Sequence, residues 1–431
     1  MCAYLKISIT RKEVIMTSTI YKLVPIALVS LWLAIPAMAQ APLTLPESVT
    51  IALQANDPSV ALYEERAKAL EDRAVADSQL PDPVFMARMQ NVPLSSFDIN
   101  REGMTQLILG ARQAFPKGKT RSLTRKKRLS EAQAERRRKI LTERQIALQT
   151  RTSWLELYYW KGARKITEQS QAQISDLGGI AEAVFATGRS AAQNVLRIDL
   201  ETSLLGARLV EIDRKADVAR ADLIRLIGIA NAARPLPADF PKLPPFPDTK
   251  VMQAGLVRHP SVQVFDAKID ARDRDIDIAG EQYKPGFAVE GAYGVRDSRS
   301  DFGSIGVALS VPLFTANRQD RSLSAAKRLK ASTRLGRDAQ LLELNRELGR
   351  NYAQWARLGE RIALYETDVL KRAQDTAEAA LIGYENETAD FAELVRAELA
   401  VLNTELTLLR LRIDREKAHA ALLYLNGENN D

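Results

Sequence analysis

Residues 195–226 contain the pattern from which the architecture of the chain can be inferred, in the sequence VLRIDLETSLLGARLVEIDRKADVARADLIRL. Nearly every third or fourth residue is apolar, the steps alternate strictly between three and four, and the charged residues lie off this stripe. That spacing is typical of a helix packed lengthwise against other helices. Such a helix spans roughly 48 Å at 1.5 Å per residue, more than a compact domain needs. The stripe consists of Val195, Ile198, Thr202, Leu205, Leu209, Ile212, Ala216, Ala219, Leu223 and Leu226, and a second one of Val395, Leu399, Leu402, Leu406, Leu409 and Ile413.

The N-terminus has the pattern of an export signal. Lys22 precedes a short apolar run, and Ala37-Met38-Ala39 offers a small-x-small cleavage site before Gln40. The run is about 14 residues long, shorter than the roughly 20 that a membrane-spanning helix needs. We therefore predict a signal peptide and N-terminal extension over residues 1–39, in which either Met1 or Met16 is the start.

The composition of the chain favours long helices over a large compact core. Of 431 residues, 6% are aromatic and 27% are charged, which is typical of helices with charged outer faces. The formal net charge of +7 is modest for this length and does not by itself indicate nucleic acid. The only cysteine, Cys2, lies in the predicted signal region, so the mature chain is expected to have no disulfide and no thiolate metal site.

The first half of the mature chain predicts a helix, two strands and two long helices. A helix is expected over residues 45–76, strands over 84–89 and 104–115, and a long helix over 122–174 that breaks near 176–179. The helix containing the first stripe follows and ends at Gly228. Residues 231–250 are rich in proline and are interpreted as an irregular connector.

The same order of elements then returns, offset by roughly 200 residues, which indicates an internal duplication. Asp57-Pro58-Ser59-Val60 returns as His259-Pro260-Ser261-Val262, and Arg121-Ser122-Leu123 returns as Arg321-Ser322-Leu323. Strands are expected near residues 287–296 and 304–313, followed by another pair of long helices. The predicted domains are a first repeat over 40–230, the connector over 231–250, and a second repeat over 251–431.

The strands of the second repeat have the length and alternation of membrane β-strands. Apolar residues alternate with small or polar ones over roughly ten residues, which suits a tilted membrane strand. A soluble hairpin packed on its own helices is the alternative. Four strands cannot close a barrel, and open sheet edges cannot face lipid, so a membrane sheet would have to be shared by several chains.

Together these parts resemble the TolC-like outer membrane efflux proteins. The motifs that carry the resemblance are the helix starts at Asp57 and His259, the turn Phe115-Pro116-x-Gly118-Lys119, and the inter-helix turn Phe185-x-x-Gly188 followed by Val195-Leu196. The turn Phe115-Pro116-x-Gly118-Lys119, preceded by Gln113, is also similar to the corresponding turn in the heavy-metal branch of the family (CusC or CzcC-like). One departure is Glu387, which stands where the first repeat has Gly188.

The resemblance implies the fold class, the location and the partners. It implies an α+β membrane protein in which a trimeric 12-stranded β-barrel in the cell outer membrane continues into a periplasmic α-helical coiled-coil tunnel. The implied function is the passive exit duct of a tripartite efflux or secretion system, with metal cations or drugs as candidate cargo. The implied partners are two further copies of the chain, a periplasmic adaptor protein, an inner-membrane pump and outer membrane lipid, with no cofactor.

In this family the inter-helix turns farthest from the strands contact the adaptor and close the aperture. We therefore predict adaptor-binding or aperture residues in both turns. They are Thr187, Gly188, Arg189 and Ser190 in the first turn, and Glu385, Asn386, Glu387, Thr388 and Asp390 in the second. The alternative is that these are ordinary turn residues, with Thr388 as a helix N-cap. Glu385, Glu387, Asp390 and Glu393 could also form an acidic ring that favours cations.

Other sequence features predict neither an enzyme nor a nucleic-acid-binding protein. Gly118-Lys119-Thr120 lacks the earlier glycine of a phosphate-binding loop, because residue 113 is Gln113. His259 and His419 have no metal-ligand spacing. The basic run over residues 121–139 contains no aromatic residue for base stacking, so a solvated helix face is expected. A soluble periplasmic coiled-coil structural or adaptor protein remains the alternative function.

Overall fold

A computed structural model describes residues 41–186, 192–297, 299–386 and 388–426. The helices, in chain order, are α1 (Leu45–Gln54), α2 (Pro58–Ala76), α3 (Thr120–Ala186), α4 (Ala192–Ile227), α5 (Ile229–Ala232), α6 (Thr249–Gly255), α7 (Pro260–Glu281), α8 (Gln319–Leu364), α9 (Leu370–Glu385) and α10 (Phe391–Asn426). The strands are β1 (Val84–Gln90), β2 (Gln106–Phe115), β3 (Gly286–Val295) and β4 (Phe302–Ser310). Helix pair, strand pair and long helices therefore occur twice in the same order. None of the helices in the described ranges is long and apolar enough to cross a membrane.

The helix predicted over residues 45–76 is two helices, so that prediction was wrong. Asn56 has a φ of 49°, and Asp57 caps α2 by accepting a hydrogen bond from the Ser59 amide at 2.8 Å. Pro58 is the first residue of α2, where its missing N–H costs nothing. His259 caps α7 in the same way, with its ring nitrogen accepting from the Ser261 amide at 3.3 Å. The repeated motif thus starts one helix in each half.

The break predicted near residues 176–179 is also absent, because α3 continues through it to Ala186. A Cβ atom on Gly178 would lie 3.1 Å from the Ile198 side chain of α4, so this glycine allows α3 and α4 to pack closely. Packing between the helices here outweighs the low helix propensity of glycine. With 67 residues, α3 is about 100 Å long.

Both predicted stripes are packed inside the helix bundle. On α4, Ile198, Leu205, Ile212 and Leu223 are buried, as the heptad spacing predicts. On α10, the stripe residues Val395, Leu402, Leu406 and Ile413 are buried, but so are further residues on its other sides. The additional buried residues of α10 include Leu394, Ala397, Leu408, Leu411, Ala418 and Leu422. Since α10 packs against α3, α8 and α9, it is enclosed on more than one face.

The basic run at the start of α3 is only partly the solvated face that was expected, because several of its cations form ion pairs. Lys127 pairs with Asp275 of α7 at 2.7 Å, and Arg128 pairs with Asp77, just after α2, at 2.8 Å. Further along, Arg136 pairs with Glu71 of α2 at 2.6 Å. The run therefore joins α3 to two of the helices packed against it, α2 and α7.

The strands in the described residues form one antiparallel sheet in the order β1-β2-β3-β4. Phe115 of β2 lies opposite Phe287 of β3, and their rings stack at a centroid distance of 4.7 Å. The two halves of the duplication thus meet at the β2–β3 pair. β4 ends at Ser310, earlier than predicted, because Pro312 has no N–H to continue a ladder.

Candidate functional site

The turn between α9 and α10 is the part of the predicted adaptor site that the structure describes. Glu385 is the last residue of α9, Asn386 follows as its C-cap, and α10 begins at Phe391. The side chain and the backbone amide of Asn386 both donate hydrogen bonds to the Ile382 carbonyl, at 2.8 and 3.1 Å. Asn386 therefore closes the end of α9.

Gly383 is the centre of this turn, and sequence reasoning missed it. Its carbonyl accepts hydrogen bonds from the amides of Thr388 and Ala389 at 2.8 and 3.0 Å, and from the Thr388 hydroxyl at 3.1 Å. A Cβ atom on Gly383 would lie 2.9 Å from the Ala389 Cβ, so the chain can return this closely only past a glycine. Thr388 is therefore part of the C-terminal closure of α9, and the alternative that it caps α10 is wrong.

Apolar packing between the helices that flank the turn holds it in place. The rings of Tyr384 and Phe391 lie 5.0 Å apart, and Phe391 and Leu394 are fully buried. The same cluster includes Ile174 and Ala181 of α3 and residues of α4, α9 and α10. The helices that lead into the two inter-helix turns thus share one core at one end of the bundle.

Two acidic residues of the second turn, Glu385 and Asp390, are exposed. The Asp390 carbonyl accepts a hydrogen bond from the Glu393 amide at 2.9 Å. Glu393 also pairs with Arg396 at 2.8 Å, which reduces its availability for an acidic ring. Thr187, Gly188, Arg189, Ser190 and Glu387 lie outside the described residues.

Two further acids on α10 were not predicted. Glu398 and Glu405 are half-buried and lie seven residues apart, so they share one side of the helix. Burial raises the pKa of both carboxyl groups. In the sequence they stand just off the apolar stripe and resemble solvated charges, so nothing there distinguished them.

The sheet presents an apolar face that this chain leaves uncovered. Residues opposite one another across the four strands share a face, and on one face nearly every large side chain is apolar. Ile305 and Val307, in the middle of β4, are 89% and 69% exposed. The exposed apolar side chains are Phe85, Met89, Leu107, Leu109, Phe287, Val289, Tyr293, Val295, Ile305, Val307 and Leu309.

The other face of the sheet carries mainly small and polar side chains, and its large apolar side chains are Val84, Met86, Ile108 and Phe302. Gly110, Ala292 and Ser304 lie opposite one another along one row of the register. Along another row, Arg112 pairs with Glu290 at 3.1 Å. In the described chain, β1 and β4 each have only one neighbouring strand, so both edges of the sheet are open.

The remaining sites considered from sequence show structural roles. His259 is buried at the start of α7, and burial together with the nearby Arg144 charge lowers the pKa of its imidazole to about 4. His419 donates a hydrogen bond from Nε2 to the Pro244 carbonyl at 2.8 Å. Across the ranges that the structure describes, no group of three or more His, Cys, Asp or Glu side chains is placed to hold a metal ion.

Comparison with known proteins gives a family and a fold. Residues 251–428 match the family described as outer membrane efflux protein. A search of curated protein sequences gives no match. The family match confirms, over the second repeat, the resemblance inferred from the motifs, and it agrees with the predictions of a non-enzymatic protein and of an outer membrane location.

Solved structures share the fold over nearly the whole chain. A membrane protein from Pseudomonas aeruginosa superposes with a TM-score of 0.77 at 17% identity, covering 89% of this chain and 90% of that one. The outer membrane protein VceC from Vibrio cholerae gives 0.73 at 18% identity, covering 90% and 97%. CusC gives 0.74 at 15% identity, covering 90% and 93%. The identity to CusC is no higher than to the others, so the heavy-metal branch stays a prediction.

Proposed function

Because residues 251–428 match the family described as outer membrane efflux protein, we propose that this chain is the outer membrane exit duct of a tripartite efflux or secretion system. It conducts substrates passively from the periplasm to the exterior. The proposed organisation is a signal peptide and extension over residues 1–39, repeats over 40–230 and 251–431, and the connector over 231–250 between them.

The uncovered apolar face of the sheet is the observation that carries this proposal. In water, a contiguous apolar surface of this kind is unfavourable, whereas in a bilayer it is the surface that lipid requires. β2 and β3 have 10 residues each, so they extend about 33 Å, or roughly 23 Å when tilted by about 45°. That height is close to the apolar band of about 25 Å in outer membrane barrels.

The open edges of the sheet imply that several chains share one barrel. An unpaired edge in lipid leaves backbone groups without partners, at several kcal/mol each, so β1 of one chain must pair with β4 of another. Three chains, as the family's architecture implies, close a barrel of twelve strands. The helices support this assembly, because α4 and α8 expose apolar side chains that a neighbouring chain would cover. These are Leu196, Leu200, Leu204, Val210 and Val218 on α4, and Leu329, Leu335 and Leu342 on α8.

In this assembly the helices form a periplasmic tunnel that ends at the two inter-helix turns. The first turn, with Thr187, Gly188, Arg189 and Ser190, and the second, with Glu385, Asn386, Glu387, Thr388 and Asp390, are the proposed adaptor-binding and aperture residues. Support comes from the shared core beneath the turns and from the length of α3, which places them about 100 Å from the sheet. The inner-membrane pump and its adaptor would select the cargo, with metal cations or drugs as the proposed classes.

Replacing Gly188 with tryptophan tests whether the first turn meets the adaptor. A bulky side chain there should block close approach of another backbone while leaving the packed stripes intact. We expect export to be abolished, with the amount of trimer in the outer membrane unchanged. Cross-linking from Ser190→Cys to the adaptor should fall in parallel, and the predicted mature chain has no competing thiol.

Gly255→Trp is the matched control for this experiment. Gly255 is the last residue of α6, and a Cβ atom there would meet nothing within 4 Å. Its neighbour Met252 packs against Leu422 of α10, about 46 Å along that helix from the second turn. This variant should export normally. If Gly188→Trp exports as well as Gly255→Trp, or if it loses the trimer, then the first turn is only a structural cap and the proposed site is wrong.

A further inference from the structure

Four cations close to the helix end of the sheet are exposed and have no side-chain partner among the described residues. Arg125 and Lys126 lie in the second turn of α3, while Arg318 and Arg321 lie at the start of α8. These two helices follow directly from β2 and β4, so the four charges are grouped beside one end of the sheet.

Other cations nearby on the same two helices do form ion pairs, so the lack of partners is particular to these four. Lys127, Arg128 and Lys330 are directed at α2 and α7 and form ion pairs there, with Asp275, Asp77 and Asp273. Arg125 and Lys126, by contrast, are exposed and form no ion pair with the described residues of α2 or α7. Residues 117–128 contain no acidic residue at all that could compensate them.

An aromatic rim lies between these cations and the apolar face of the sheet. Phe115 and Phe287 stack at this end of the sheet, and Phe85 is exposed one residue into β1. Beyond β4, Leu313 and Phe314 are 75% and 89% exposed, and Arg318 follows four residues later. Aromatic side chains at the edge of an apolar band are typical of the level at which lipid acyl chains meet headgroups.

We propose that the four cations and this rim together bind anionic phospholipids in the leaflet nearest the helices, with the cations contacting the phosphate groups. The inference rests on the proposed function, since it requires the sheet to be in a membrane. Arg125 lies five residues into α3, roughly 8 Å from its start, within about one Debye length of a headgroup layer at the rim. Arginine donates paired hydrogen bonds to phosphate, and three of the four cations are arginines.

The continuity of the rim with the apolar face favours a lipid over a free phosphate ion. A free ion would need only the cations, whereas Leu313 and Phe314 offer apolar surface beside them that suits acyl chains. The cations would therefore bind the lipid headgroup while the rim contacts the acyl chains. Together they would fix the depth at which the helices leave the membrane.

Retained lipid provides the test. The assembled full-length mature protein is reconstituted in phosphatidylcholine vesicles containing a minor fraction of phosphatidylglycerol and extracted with its surrounding lipid by an amphipathic polymer. Mass spectrometry then gives the ratio of the two lipids. We expect phosphatidylglycerol to be enriched several-fold over the vesicle composition, since each cation near a membrane surface contributes about a fivefold preference. The enrichment should disappear at about 1 M salt, where the Debye length is about 3 Å.

The combined variant Arg125→Gln, Lys126→Gln, Arg318→Gln and Arg321→Gln should lose most of this enrichment. The matched control removes four exposed cations, Lys161, Lys165, Arg350 and Lys371, which lie more than about 40 Å along their helices from the sheet. Changed to glutamine, these should leave the enrichment intact. Equal enrichment in all three proteins, or an equal loss in both variants, would overturn the proposal. Failure of the unaltered protein to insert into these vesicles would instead contradict the proposed function.

Discussion

Val307→Arg is expected to remove most of the assembled protein from the outer membrane. Val307 is near the middle of β4, on the apolar face, and its side chain is exposed in the single chain. A cation on the lipid face near the bilayer midplane costs about 2–4 kcal/mol. Since each of the three chains would carry the charge, the amount of assembled oligomer should fall steeply. The measurement is the fraction of the protein that runs as a heat-modifiable oligomer in isolated outer membranes.

Ser304→Arg is the matched control, because Ser304 lies on the same strand but on the small, polar face. Facing an aqueous interior, the added charge should cost much less, and most of the oligomer should remain. Similar losses in both variants would mean that the two faces of the sheet do not separate lipid from water, and the barrel would then be wrong.

Trp154→Ala is expected to have the largest effect on the helical part. Trp154 is fully buried on α3, stacks on Tyr158 at 5.3 Å, and donates a hydrogen bond from Nε1 to the Leu43 carbonyl at 3.1 Å. It therefore joins the start of the described chain to the helix bundle. Removing a buried tryptophan side chain costs about 3–5 kcal/mol. The loss should appear as a lower melting temperature of the helical circular dichroism signal.

Trp154→Phe separates packing from the hydrogen bond. It keeps an aromatic ring but leaves the Leu43 carbonyl without its donor, at a cost of about 1–3 kcal/mol. We expect a melting temperature between those of the unaltered protein and Trp154→Ala. An unchanged melting temperature in Trp154→Ala would show that this contact does not hold the N-terminal segment to the bundle.

Periodicity predicted the long helices well because each residue of a stripe meets the same kind of neighbour. Ile198, Leu205 and Leu223 recur at heptad spacing and are buried where that spacing places them. The helix ends were harder to predict. In the sequence, Gly178 looks like the end of a helix. In the structure it lets the Ile198 side chain pack closely against α3, and Ile198 lies twenty residues further along the chain, on α4.

The details of the candidate site depended on contacts that no local pattern shows. Gly383 organises the second turn through three hydrogen bonds from residues five and six positions later, and the sequence motif gave more weight to Thr388. Similarly, Lys127 and Arg128 looked like a solvated charge run, because their partners Asp275 and Asp77 lie on other helices. Glu398 and Glu405 are half-buried only because α10 is enclosed on several sides.

The sheet faces were predictable, whereas the rim was not. Alternation alone placed Val307 and Leu309 on one face and Ser304 on the other, as the strand register has them. The exposed, unpaired cations at the helix end of the sheet could be told apart from the other basic residues only once the structure showed which of those residues form ion pairs. Arg125 and Lys127 look alike in sequence, and their difference lies in which side of α3 faces α7.

The number of chains in the membrane-inserted assembly tests the central claim most directly. Outer membranes are separated from the periplasmic fraction released by mild osmotic shock, and the mass of the native species is measured in each. We predict that the mature protein is found in the outer membrane as an assembly of three chains, which together supply the strands of one closed barrel. A soluble monomer released by the shock would contradict the account and would favour a periplasmic coiled-coil protein without a barrel.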